Sequence, residues 1–276
     1  MAVKLIMADL DGTLFKDDHV SSSERNIAAL KKAKEKGIKI CISTGRTKSL
    51  TFDATDAIPF ADYIITSNGA VTYDAQTNEI ITSQLLDAEK SKKVFAIINE
   101  HSLTHEIYFQ GECFLDGYSA KLYNYGNISA HYLKVLKDKA NVVPNLSEHI
   151  GKNGVEKINI MHVTGDELQC IKSEIQDIGG IFVTSSIPEN LEMNNYNANK
   201  GYALKKLCEI MGIGENEVMA FGDSGNDCEM LKIAGHSYAM ANAWEEAKIA
   251  AQVVTLSNED DGVAVEIEKY LELLKD

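Results

Sequence analysis

The sequence predicts an α/β fold, a doubly wound parallel-sheet core with an α+β domain inserted into it. Two observations carry that reading. Short apolar runs alternate with helix-length amphipathic segments at both ends of the chain, as in sheets covered on both faces. Between them, from about residue 84 to 189, the alternation gives way to a mixed pattern with interspersed glycines and five of the eleven tyrosines. The core is expected over 1–83 and 190–276 and the insert over 84–189.

Taken in order, "VKLIMA" reads as a buried strand. "SSSERNIAALKKAKEKG" follows as a helix, with Ser21 and Glu24 at capping-box spacing and Gly37 at its stop. "IKICIST" is the next strand, and "ADYIITSNGAVTY" is a strand broken by a turn at Asn68-Gly69. The insert holds helices at "DAEKSKKVFAIINEH", "ISAHYLKVLKDKA" and "DELQCIKSEIQDIG". Its strands are "THEIYF", "GECFLDG", "EKINIMHV" and "GIFVTSS". The core then resumes with the helix "GYALKKLCEIMGI" and the strand "EVMAFGD". "NDCEMLKIAG", "AWEEAKIAA" and "GVAVEIEKYLELL" are helices, separated by the strands "HSYAM" and "QVVT".

Composition narrows the function. The 276 residues, 45% of them hydrophobic, suit one large or two ordinary globular domains. A formal charge of -14 argues against a nucleic-acid or anionic-membrane binder. The five cysteines are odd in number and scattered, which suggests reduced thiols in a cytoplasmic protein. Neither a signal peptide nor a membrane-length apolar run is expected.

In open parallel sheets ligands bind beyond the carboxyl ends of the strands. That rule selects Asp9 and Asp11 after the first strand, Thr44, Gly45 and Arg46 after the second, and Asp223, Asn226 and Asp227 after "VMAFG". Asp9 and Asp11 are two residues apart and point the same way, so their repulsion calls for a cation between them. Asp223 adds a further oxygen, and Mg²⁺ suits a few carboxylates with water and phosphate. One carboxylate would then be placed to attack phosphorus. The Thr44 hydroxyl and the backbone N–H groups near Gly45 would take phosphate oxygens, and Lys200 would offset the charge.

The blocks "DLDGT", "ISTGR", "NKG" and "GDSGNDCEML" together resemble the four signatures of the haloacid dehalogenase superfamily. "SNGA", "LLDAE", "AMANAWEEAK" and "VTLSNEDDGVAVEIEKYL" are similar to its Cof-type sugar-phosphatase branch. The resemblance implies a Rossmann-like core with Asp9 as nucleophile and Asp11 as acid and base. It implies a Mg²⁺ held by Asp9, the Asp11 carbonyl and Asp223. Leu10 (through its backbone), Thr44, Gly45, Lys200 and Asn226 match phosphate-contacting positions, and Asp227 supports the lysine or the metal's waters. The insert then resembles a mobile cap that reads the substrate's organic part.

The implied function is a Mg²⁺-dependent phosphomonoesterase acting on a small phosphorylated metabolite, a sugar phosphate by preference, as a monomer or homodimer. A phosphotransferase or phosphomutase using the same aspartate, and a non-catalytic phosphate sensor, are the alternatives. Arg46 reads as either a supporting group or a surface ion pair. Asp227 has a second reading as a helix-start charge. His19 and His162 are expected to be structural, as are Cys41 and Cys228. The insert tyrosines Tyr108, Tyr118, Tyr123 and Tyr125 are expected to serve core packing more than sugar stacking.

Overall fold

A computed structural model describes residues 2–51, 56–122, 130–148, 150 and 154–274. Tyr123 and Tyr125, and the start of the expected helix at 128–129, lie outside the described residues.

The chain opens with β1 (Leu5–Ala8), α1 (Glu24–Glu35), β2 (Lys39–Ser43), β3 (Tyr63–Thr66), β4 (Val71–Asp74) and β5 (Ile80–Ser83). The middle section contains α2 (Ala88–Glu100), β6 (His105–Phe109), β7 (Glu112–Asp116), α3 (Ala130–Lys139), β8 (Asn141–Val143) and β9 (Lys157–Ile160). It ends with α4 (Gly165–Ile178), β10 (Ile181–Thr184) and β11 (Leu191–Asn195). The last part adds α5 (Lys200–Met211), β12 (Val218–Gly222), α6 (Cys228–Ile233), β13 (His236–Ala239), α7 (Glu245–Ala250), β14 (Val253–Val254) and α8 (Gly262–Leu273).

Two sheets result. The first has eight strands in the order β14-β13-β12-β1-β2-β3-β4-β5. β1 lies between β12 and β2, with Ala8 beside Phe221 on one flank and Ile42 on the other. That register brings Asp9, the residues after Ser43 and the residues after Gly222 to one edge. All four residues of β1 and all five of β12 are buried, as strands covered on both faces must be. The expectation of a parallel sheet holds from β14 to β3 and fails at β4 and β5, which pair antiparallel. The Ser67–Gly69 turn is too short for the crossover that a parallel partner needs.

The second sheet has six strands in the order β10-β11-β9-β6-β7-β8. β11 pairs with β9 and β10, so the return to the first sheet comes after Asn195 and not at 190. One face of this sheet is apolar: Ile107, Ile158, Ile160 and Met193 pack with Val94 and Ile98 of α2 and with Ile171 and Ile175 of α4. Period-two alternation therefore turns Glu106, Tyr108, Lys157, Asn159, Glu192 and Asn194 to the other face. All six are buried against the first sheet's strand ends.

The start of α1 differs in detail from the expectation. Ser23, not Ser21, is its N-cap, accepting from the Asn26 N–H at 3.0 Å. Ser21 instead binds the Asp18 carboxylate, closing the loop before the helix. Among the described residues no helix is long and apolar enough to cross a membrane.

Candidate active site

The turn after β1 fixes the first two aspartates. Gly12 has φ +77°, and a Cβ there would lie 2.5 Å from Asp223 Oδ2. Only glycine lets the chain turn so close to the neighbouring carboxylate. Thr13 donates to Asp223 Oδ1 at 2.8 Å, tying the β1 and β12 loops together.

Lys200, at the first position of α5, is wholly buried. Its Nζ donates to Asp9 Oδ1 and to Asp227 Oδ1, each at 2.6 Å. Asp227 Oδ2 accepts the Asp223 and Ser224 N–H groups at 2.9 and 3.1 Å. With both oxygens engaged, Asp227 anchors the lysine and shapes the loop. Lys206, by contrast, pairs with Glu209 on the helix surface.

Carboxylate oxygens of Asp9, Asp223 and Asp227 lie within 4.8 Å of one another. Burial, reinforced by Asp227 and Asp11, raises the Asp9 carboxyl above its ordinary range while Lys200 pulls it down. Burial and the charges of Asp9 and Asp227 push Asp223 up as well. Lys200 is held firmly charged, because Asp227 and Asp9 outweigh the cost of its burial. Three acids against one lysine leave excess negative charge. Among the described residues no hydrogen bond reaches Asp9 Oδ2 or Asp223 Oδ2. These residues fit a hard divalent cation, with Asp9 and Asp223 as its side-chain ligands.

The Asp11 carboxylate lies outside that cluster but lines the same cavity as Asp9. Arg46 grips it with two N–H groups, Nε to Oδ2 at 2.8 Å and Nη2 to Oδ1. His19 Nδ1 lies 3.1 Å from Oδ1, and the His19 carbonyl accepts from Arg46. Burial opposes ionisation here, but Arg46 and His19 together hold the carboxyl well below its usual range. The surface-pair reading of Arg46 is thus replaced by a buried fork on Asp11. His19, expected to be structural, sits at the site. Its φ of +59° turns the loop back towards Asp11.

Five of the expected positions share one cavity. Asp9, Asp11, Gly45, Arg46 and Asn226 line a space of about 110 Å³. Leu10 is buried between the two aspartates, and its carbonyl accepts the Phe15 N–H. Thr44 is buried, with its hydroxyl accepting the Arg46 N–H at 3.1 Å. A Cβ on Gly45 would lie 2.8 Å from Asn68 Oδ1, so a larger residue here would displace the Asn68 amide. His162 pairs with Glu189, away from this group. Burial pushes the Cys41 thiol up and the Cys228 thiol to about 11, so neither is activated.

Sequence reasoning missed the residues that join the two sheets. Asn226 Nδ2 donates to Asn68 Oδ1 at 3.0 Å, and Asn68 Nδ2 donates to Glu192 Oε2 at 3.0 Å. Glu192 Oε1 accepts from Lys157, which also donates to the Gly45 carbonyl, both at 2.6 Å. The ring runs from one phosphate-contacting candidate to another by way of the second sheet. Tyr108 is buried in a small apolar cluster, in line with the packing role, and its hydroxyl donates to Glu106 at 2.9 Å on the cavity wall. Tyr118 is exposed. The "SNGA" turn was the one available signal for Asn68. Nothing marked Glu106, Lys157, Asn159 or Glu192, which come together only through strand pairing.

A model of the haloacid dehalogenase-like hydrolases matches residues 6–267. The chain belongs to that family. The superfamily resemblance of the four motifs is therefore met across nearly the whole chain. Two proteins of Bacillus subtilis, YcsE and YwtE, are 30% and 32% identical to it. Their alignments cover 98% of this chain, and 96% and 98% of the relatives. Both are named 5-amino-6-(5-phospho-D-ribitylamino)uracil phosphatases. A solved haloacid dehalogenase-like hydrolase from B. subtilis superposes with a TM-score of 0.86 at 25% identity, covering 96% of this chain and 99% of its own.

Proposed function

We propose that this haloacid dehalogenase-like hydrolase is a Mg²⁺-dependent cytoplasmic phosphatase of small phosphorylated metabolites, with the 84–195 segment as its cap. The observation that carries the reading is Lys200, wholly buried and bridging Asp9 and Asp227 beneath the cavity. Such a lysine holds a carboxylate ionised and in place while a phosphate dianion approaches it. Names of the relatives add a phosphorylated ribityl chain as one substrate type, and sugar or polyol phosphates are the class we assign.

Asp9 attacks phosphorus in line, the bond to the leaving oxygen breaks, and an aspartyl phosphate forms on Asp9. The leaving oxygen takes a proton and departs as an alcohol. Water then attacks the same phosphorus, releasing inorganic phosphate and restoring the Asp9 carboxylate. A divalent cation held by Asp9 and Asp223 would offset the negative charge gathered there. Asp11 is the acid and base of this scheme, yet Arg46 and His19 hold it ionised. It can carry a proton to the leaving oxygen only after parting from Arg46, so seating of the substrate must break that fork. Thr44, Gly45, the Leu10 backbone, Asn226 and Lys200 supply donors to the phosphate oxygens.

The test is phosphate release from sugar phosphates, polyol phosphates, nucleotides and an aryl phosphate, with Mg²⁺ or with chelator. Wild type and Asp9→Ala are compared. Metal-dependent release that the substitution abolishes supports the reading. Absence of release from every ester, by a folded protein that binds Mg²⁺, would sink it in favour of transfer or sensing.

A further inference from the structure

The cavity's far wall holds one acid, Glu106, that makes no ion pair among the described residues and feels Lys157 only through space. Glu106 is 3% exposed and lines the cavity. Its Oε2 accepts from the Tyr108 hydroxyl at 2.9 Å and from Asn159 Nδ2 at 3.2 Å. Both donors are neutral. Among the described residues no hydrogen bond reaches Oε1, which is not sealed off from solvent. The two strong cations that line the cavity are committed elsewhere, Arg46 to Asp11 and Lys157 to Glu192 and the Gly45 carbonyl. Asn159 is held from behind, accepting from Asn190 at 3.2 Å, so the row Asn190–Asn159–Glu106 is fixed across the strands.

A buried carboxylate with an open oxygen favours ligands that bring hydrogen-bond donors and penalises ligands that bring another anion. From this we infer that Glu106 is a specificity-determining residue, whose open oxygen selects phosphate esters with uncharged hydroxyl- or amino-bearing leaving groups and rejects those carrying a carboxylate. The inference rests on the phosphatase reading for its ligand class, but it concerns binding by the wall opposite Asp9. Burial raises the Glu106 carboxyl above its ordinary range, which is the cost that a donor-rich ligand would relieve.

Glu106→Gln is the informative change. It keeps an acceptor for Tyr108 and Asn159 and turns the open oxygen into a donor. Dissociation constants for a hexitol phosphate, p-nitrophenyl phosphate and phosphoglycolate would be measured by calorimetry with Mg²⁺. The Asp9→Asn protein with and without Glu106→Gln is used, so that binding is read apart from turnover. Before the change, the hexitol ester should bind tighter than phosphoglycolate. After it, the ratio of the two affinities should shift by about tenfold or more towards phosphoglycolate, the value of one charged hydrogen bond. p-Nitrophenyl phosphate sets the baseline for loss of fold or of the phosphate site. An unchanged ratio, or equal weakening of all three esters, overturns the inference. If the wild type hydrolyses nothing, the phosphatase reading falls, and the binding ratio still decides the role of Glu106.

Discussion

The floor and the roof of the cavity stabilise buried charge in opposite ways. On the floor, Asp9 and Asp227 share Lys200, and Asp11 is forked by Arg46, so each of these three acids faces a cation in direct contact. On the roof, Glu106 is held by a tyrosine hydroxyl and an amide. Paired charges keep a rigid ionised site for an anion that must meet a nucleophile. Neutral partners leave a group that exchanges hydrogen bonds with whatever docks against it. On the proposed reading, the contrast separates the part of the molecule that would do the chemistry from the part that would choose what undergoes it.

The sharpest way to break this comparison is at the nucleophile. Asp9→Asn should lower phosphate release on the order of 10⁴-fold or more. It should leave thermal stability unchanged or raised, since it removes one of three crowded acids. Residual activity within tenfold of wild type would take Asp9 out of the chemistry. Lys200→Met attacks the same charges through the fold. Leaving Asp9 and Asp227 buried without their cation should cost about 3–5 kcal/mol in urea unfolding. Adding Asp9→Asn should restore part of that loss, and no restoration would mean that the two do not share the lysine's charge.

Asn68 tests the link between floor and roof. Asn68→Ala severs Asn226 from Glu192, and kcat/KM should fall about ten- to a hundredfold while secondary structure is kept. A fall in stability with unchanged kcat/KM would make the ring a strut without functional consequence.

The smallest effect is in pH dependence, where the two sheets again differ. In the first sheet Asp62 accepts from Lys34 at 2.6 Å, Lys39 at 2.8 Å and the Ile40 N–H at 3.0 Å. Burial opposes its charge, but these partners lower its pKa in the folded state. Its stabilisation is therefore present above the unfolded value near about 3.9 and is lost as pH falls through the lower folded value. In the second sheet His105 is buried, which lowers its pKa. The unfolded chain then takes up the proton first, so stability drops as pH falls below about 6.5. Asp62→Asn should cost about 1 kcal/mol at neutral pH and progressively less below pH 4. His105→Gln should flatten the slope of stability between about pH 6.5 and 5. Urea unfolding across pH checks both, and a slope unchanged by His105→Gln would remove the histidine from the account.

How much was legible follows the same division. The floor residues lie within a few positions of a strand end, and local repulsion between Asp9 and Asp11 already called for an explanation. Asp227 and Asn226 fell into place because an open parallel sheet gathers its strand ends at one edge, and Lys200 because it opens the helix leading into β12. The roof residues are spread over three strands, at 106, 157–159 and 190–192, with long segments between them. They read as ordinary alternating polar positions. Only the register that sets Glu106 opposite Asn159, and Asn159 opposite Glu192, makes them a wall. His19 was passed over because a loop residue has no periodicity to place it.

By itself, then, the sequence determined the alternating architecture with an inserted α+β segment, the acids at the strand ends and the lysine that opens a helix. Those depend on residue type and short spacing, which a linear chain carries. The tertiary structure alone decided that Asp11 turns to Arg46 and His19, that Asn68 joins the two sheets, and that Glu106 stands without a contacting cation. Each of those depends on which strands pair and in what register, and buried partners distant in the chain are chosen by packing rather than by spacing.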